Sequence, residues 1–129
     1  DLKANNVIFH GRVDVESDKF VDIAQQCLFA VMPTCSEGQS TALLTAMGAG
    51  LIPIASPYSG VDIEEYGFLL PSLDLRSLET TLRHVSAISD HDLRVLSQKT
   101  QDYIYNNHSL SNYELNMTSA LERLNEEHI

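Results

Sequence analysis

The sequence predicts an α/β fold: a parallel sheet of short strands covered by helices, with a mainly helical segment closing the C-terminal side. Three observations carry that expectation. Short apolar runs recur in the first part of the chain, three of them stopped directly by Gly11, Pro33 or Pro71. Segments with helical spacing of apolar residues stand between them in ~30-residue units, the rhythm of strand–helix–strand crossovers. Beyond about residue 72 the strand-like runs cease and helical periodicity alone continues. One domain is expected over residues 1–129, with strand–helix units in 1–71 and a mainly helical part in 72–129.

Taken in order, Val7-Ile8-Phe9-His10, closed by Gly11, reads as a first strand. Phe20, Ile23, Ala24 and Cys27 then fall on one face of a helix, with Asp18 as its expected cap. Leu28 to Met32, stopped by Pro33, has the unbroken apolar character of a strand buried on both faces. Thr41 to Ala49 is rich in Ala, Leu and Met, and Gly50 stands where a C-terminal cap belongs. Leu51 to Ala55 is a further strand despite Pro53, and Phe68-Leu69-Leu70 before Pro71 is a shorter one. Leu78, Leu82, Val85 and Ile88 repeat with helical spacing behind a cap at Asp74, and Asp90 opens a helix bearing Leu93, Leu96 and Ile104. A last helix is expected from Ser111. There Ser111 and Glu114 match a capping box, Leu110 and Leu115 the flanking staple, and Met117, Leu121 and Leu124 the apolar face.

Composition narrows the function classes. Eight Lys and Arg against eighteen Asp and Glu leave a formal charge of −10. Nucleic acid and anionic lipid both draw their affinity from clustered cations, so neither is an expected partner. No apolar run approaches the length of a membrane span. Cys27 and Cys35 form neither a disulfide framework nor a zinc pattern, which favours a reducing, cytoplasmic setting.

Ligands of parallel sheets bind at the carboxyl ends of the strands. That selects the loops Gly11-Arg12-Val13, Pro33 to Gln39, and Ser56 to Asp62. The middle loop, Pro33-Thr34-Cys35-Ser36-Glu37-Gly38-Gln39-Ser40-Thr41, is small and hydroxyl-rich and runs straight into a helix. Such a loop presents unpaired N–H groups and the positive end of the helix dipole to an anion. Glu37 there either accepts hydrogen bonds from a neutral polyol or caps the helix.

Ser36-Glu37-Gly38 followed by Ala46-Met47-Gly48-Ala49-Gly50-Leu51-Ile52-Pro53 resembles the donor domain of retaining glycosyltransferases with two Rossmann-like domains, the GT-B fold. The similarity takes in Asn6 to Val13, Ser59-Gly60-Val61, Gly67 to Pro71 and the terminal helices, nearly the whole chain in register. It implies transfer of a sugar from a nucleotide-diphosphate donor to an acceptor, with retention and without an obligatory metal or other cofactor. It also implies roles for individual residues. Glu37, matching the first Glu of the family's Glu-x7-Glu pattern, contacts the donor sugar's hydroxyls near the reacting centre. Gly38, Gln39, Ser40 and Thr41 sit by the sugar and diphosphate. Gly11, Arg12 and Val13 lie near the nucleobase. The second Glu, which binds ribose, is replaced here by Thr45. Eight residues span at most roughly 12 Å of helix, a reasonable distance from sugar to ribose.

That replacement sustains an alternative, a non-catalytic glycosyltransferase-like module that binds sugars or protein partners. Against the family pattern, two strand–helix units carrying the basic diphosphate clamp are absent before Val7, as is the acceptor-binding partner domain. The expectation is therefore a truncated donor domain that is inactive alone and pairs through exposed strand edges with a second copy, swaps, or rearranges its sheet. The full-length protein is expected in the cytoplasm, with a membrane-peripheral position left open. Polysaccharide or lipid-linked sugar assembly is a family-level expectation only.

Other signals carry less. Asp90-His91-Asp92 has the spacing of a metal-binding pair but opens a helix, where acids complement the dipole. The five histidines show no paired ligand spacing. A phospho-acceptor signalling domain would need acids at strand ends, where this sequence has His10, Thr34 and Ser56.

Overall fold

The computed structural model describes residues 6–126. In chain order these form helix α1 (Asp18–Gln26), strand β1 (Phe29–Met32), helix α2 (Thr41–Gly48), strands β2 (Ile52–Ala55) and β3 (Phe68–Leu69), and helices α3 (Leu75–Val85), α4 (Asp90–Asn107) and α5 (Leu110–Glu126). A Rossmann-like α/β layer is what the apolar rhythm predicts, and it is what forms. The three strands are parallel in the order β1-β2-β3, with Phe29 opposite Ile52 and Ile54 opposite Phe68.

β2 is central and every residue of it is buried. Its side chains alternate between two helical layers, as a pleated strand requires. Ala55 packs with Leu43 and Met47 of α2, Ile63, and Ile104 of α4. Ile54, on the opposite face, packs with Leu70, Val85 of α3, Leu78 and Ile88. Pro53 is tolerated inside this strand for a specific reason. Ile52 and Ser56 donate toward the β1 side, to the carbonyls of Leu28 and Met32, so residue 53 faces β3. In a parallel ladder its N–H would meet the carbonyl of Tyr66. Pro has no such proton, and the Thr100 hydroxyl of α4 stands there instead, its one proton shared between Tyr66 O at 2.8 Å and Leu96 O at 2.9 Å.

α4 also fastens the end of α2. Gln101 donates to Gly48 O at 3.0 Å and Ser97 to Gly50 O at 2.6 Å. Gly50 turns the chain out of α2 at φ +89°, in the left-handed region that favours glycine. α3 starts where expected, with Asp74 Oδ1 accepting from Ser77 N–H at 2.7 Å. The Ser72 hydroxyl, and then the Ser77 N–H, hold the Asp74 carboxyl below its ordinary value.

Several expectations need correction. Val7 to His10 is not a strand. A strand's polar groups must be met by a neighbour, and no strand adjoins this segment among the described residues. Ile8 and Phe9 are 77% and 78% exposed, and Lys19 Nζ reaches His10 O at 3.2 Å. β1 lies at an edge rather than inside the sheet, so Val31 is exposed instead of buried on both faces. Two helix starts are displaced. Ser17, not Asp18, caps α1, because its hydroxyl stands three residues before the Phe20 N–H it accepts. At α5 the capping-box pair is displaced too: Ser109 Oγ accepts from Asn112 N–H at 3.3 Å, which puts Ser111 and Glu114 inside the helix. Leu110 and Leu115 are exposed and form no staple, and no residue of α5 is buried.

Candidate functional site

The carboxyl ends of β1 and β2 feed two loops that bond to one another. Ser56 Oγ donates to Thr34 O at 2.5 Å. Glu37 N–H donates to Tyr58 O at 3.0 Å, and Ser40 N–H to Ser59 O at 2.9 Å. Pro57–Ser59 form a single 3₁₀ turn that serves as the template for the first loop. Gly60 closes it at φ +67°, and a Cβ there would collide with the Gly38 carbonyl. Ser40, Ser56 and Ser59 are buried, so the polar groups that fix the loop are shielded from water.

This framework holds Glu37 by its backbone and leaves its side chain exposed. The carboxylate has no hydrogen-bond partner among the described residues, while the cap of α2 is Ser40, whose Oγ accepts from Leu43 N–H at 3.4 Å. Glu37 therefore does not cap the helix. The N–H groups of Thr41 and Ala42 find no acceptor among the described residues, so the positive end of α2 is open. Added bulk at Gly38 would meet nothing within 4 Å, so the loop faces free space.

Beside the loop lies a groove of about 860 Å³ between α2 and α5, closed at one end by the α4–α5 turn. Gln39, Thr41, Leu44 and Thr45 form one wall. Ile104, His108, Tyr113, Asn116 and Met117 are among the residues opposite.

The family profile described as Glycosyl transferases group 1 matches residues 1–87. The chain belongs to that family. A search of curated proteins returns no match. The matched residues span α1, the three strands, the two hydrogen-bonded loops, α2 and α3, whereas α4 and α5 lie beyond them. The glycosyltransferase assignment thus rests on the part of the chain that contains Glu37 and its neighbours.

The geometry sorts the glycosyltransferase residues expected from the sequence. Glu37, Gly38, Gln39 and Thr41 are exposed along one stretch of loop and helix start. Gln39, Thr41 and Thr45 also line the groove. Ser40 is inward and structural. The Thr45 hydroxyl donates back to Thr41 O at 2.8 Å, which occupies its one proton. Gly11, Arg12 and Val13 follow no strand, line no part of the groove and share no hydrogen bond with the Glu37 loop.

Tyr113, Asn116 and His108 were not singled out by sequence. Each is unremarkable locally, and only the α4–α5 turn brings it opposite α2. Beneath them Tyr103 stacks on Tyr66 with centroids 4.1 Å apart, and its hydroxyl lies 3.3 Å from His108 Nε2. Burial, then the charge of Asp62 and the neighbouring Tyr66, raise the Tyr103 phenol above its ordinary value. Asp90-His91-Asp92 forms the first turn of α4, with Asp92 accepting from the Ser89 hydroxyl at 2.7 Å. Among the described residues no three His, Cys, Asp or Glu side chains gather as a metal site, and no helix is long and apolar enough to cross a membrane.

Proposed function

We propose that this chain is part of the donor-binding domain of a retaining, GT-B-type glycosyltransferase and holds a nucleotide-diphosphate sugar without an obligatory metal. The observation that carries the reading is the Glu37 loop: its backbone is pinned, its carboxylate is uncommitted, and the helix behind it opens two free N–H groups. In this reading Glu37 accepts hydrogen bonds from the donor sugar's hydroxyls and orients the ring. The N–H groups after Gly38 and at the start of α2 face the diphosphate, where the helix dipole offsets negative charge developing on the leaving group. Thr45 stands toward the ribose. Catalysis in such a site is positioning and electrostatics. The acceptor and the remaining diphosphate cations come from parts of a GT-B enzyme that this chain does not supply, so the chain alone binds donor without turnover.

The test is saturation-transfer NMR on the 129-residue chain with UDP-, GDP- and ADP-linked hexoses. Transfer to one donor's sugar protons, absent in Glu37→Ala, is expected. A folded chain silent toward every donor would overturn the reading.

One observation favours the alternative, a glycosyltransferase-like module that no longer transfers. The Thr45 hydroxyl is spent on Thr41 O. If the site has decayed at this position, Thr45→Glu restores strong donor affinity; if Thr45 is part of a working site, the change leaves affinity the same or lowers it.

A further inference from the structure

The two loops at the carboxyl end of the sheet, residues 33–40 and 56–62, hold a single aromatic side chain, Tyr58. An exposed ring is ordinary by itself, and what sets this one apart is its place. Tyr58 O accepts from the Glu37 N–H at 3.0 Å, so the two residues are joined through their backbones. Residues paired in that way have Cα atoms roughly 5–6 Å apart, close enough for both side chains to reach one small ring. The turn that carries Tyr58 is fixed before any ligand arrives. Pro57 sets φ at its start, Ser56 and Ser59 are fully buried, and Gly60 leaves no room for a Cβ beside the Gly38 carbonyl. Yet the Tyr58 side chain is 56% exposed, and its hydroxyl has no hydrogen-bond partner among the described residues. A tyrosine so placed offers a large contact with only two side-chain torsions left to freeze.

Tyr58 and Glu37 together define a ligand by its chemistry. The uncommitted carboxylate takes hydrogen-bond donors and repels a phosphate or a second carboxylate, in a chain that already carries −10. The ring takes an apolar face. A pyranose meets both demands, with hydroxyl donors along its rim and C–H bonds on its face. The inference rests on the function proposed above, which brings a sugar to Glu37. We propose that Tyr58 is a further sugar-binding residue, its ring stacked on the C–H face of a pyranose beside Glu37. Two sugars can present that face, the donor's own hexose and the sugar of an acceptor, and the test separates them.

The test reads ring-current shifts by NMR on the 129-residue chain, with UDP-, GDP- and ADP-linked hexoses as probes. C–H protons of a sugar stacked on Tyr58 move upfield. Tyr58→Ala should abolish that shift and weaken the bound sugar roughly three- to tenfold, the range of one aromatic contact. Tyr58→Phe should keep both. The matching nucleoside diphosphate, which lacks the sugar, should bind Tyr58→Ala as tightly as the unmutated chain, a result that a merely structural role would not give. The bond from Glu37 to Tyr58 runs through the backbone and survives each substitution, and circular dichroism verifies the fold. Methyl hexosides added to the donor-saturated chain identify the source. An upfield shift on the donor's hexose assigns Tyr58 to the donor, one on the methyl hexoside assigns it to an acceptor sugar, and either supports the stacking. Donor binding that Glu37→Ala abolishes, with no upfield shift on any sugar, overturns the stacking and spares the proposed function. Equal loss of donor and nucleoside diphosphate in Tyr58→Ala makes the ring structural and overturns the inference. Silence of the unmutated chain toward every donor overturns both proposals.

Discussion

α2 and α5 are both predicted as helices from apolar spacing, yet they end in opposite environments. Leu43 and Met47 of α2 are buried under the sheet, and the end of that helix is bonded to α4 through Gly48 and Gly50. α5 carries more large apolar side chains, but Leu110, Leu115, Leu121 and Leu124 are all more than half exposed. Periodicity states that a helix has an apolar face. Whether the face is covered depends on a partner; for α2 it is the apolar run of β2, whereas Leu110, Leu115 and Leu121 of α5 stay more than half exposed.

The sharpest way to break this comparison is a matched pair of truncations. Met47→Ala should cost about 2–5 kcal/mol in urea unfolding, whereas Leu121→Ala should stay within about 0.5 kcal/mol. Equal costs would mean that α5's face is covered in solution, and light scattering would then identify a second copy or exclude it. Gly60→Ala comes next. The new methyl collides with the Gly38 carbonyl and forces a left-handed residue, so a loss of about 2 kcal/mol is expected together with loss of donor binding. Normal stability and binding in that variant would show the two loops to be independent. Thr100→Val removes the buried hydroxyl shared between Tyr66 O and Leu96 O and should cost about 1–3 kcal/mol.

The smallest effect concerns the exposed cap at Asp74. Its carboxyl is lowered in the folded chain by Ser72 and Ser77, so the cap's contribution is present above the ordinary Asp value and fades as pH falls through the lowered one. Asp74→Asn should therefore lower Tm slightly at neutral pH, and the gap between the two proteins should close in acid. A gap that persists in acid would show that the charge is not what the cap supplies.

What the sequence made legible was local. The Gly-closed helix at Thr41–Gly48, the strands at 52–55 and 68–69, and the Asp74 cap are set by residues within a few positions of one another. Val7 to His10 misled because an apolar, β-branched run is only half of a strand; the other half is a neighbour's polar groups. The displaced caps at Ser17 and Ser109 were decided by which of several adjacent polar residues stood three before a free N–H. Glu37 was legible through its motif. Its release from capping duty was not, because that depends on Ser40 being held by Ser59. Tyr113 and Asn116 were invisible for a different reason: nothing near them in sequence records that a turn folds them against α2.

Pro53 has an effect beyond its own strand. By ending the β2–β3 ladder early, it holds β3 to two residues, while β1 keeps four. The two flanks of the sheet are thus unlike as templates for growth. A flank two residues long offers an incoming backbone almost nothing to grip, and aggregation through it is suppressed. Of the two edges, the four residues Phe29 to Met32 offer an incoming strand the longer ladder.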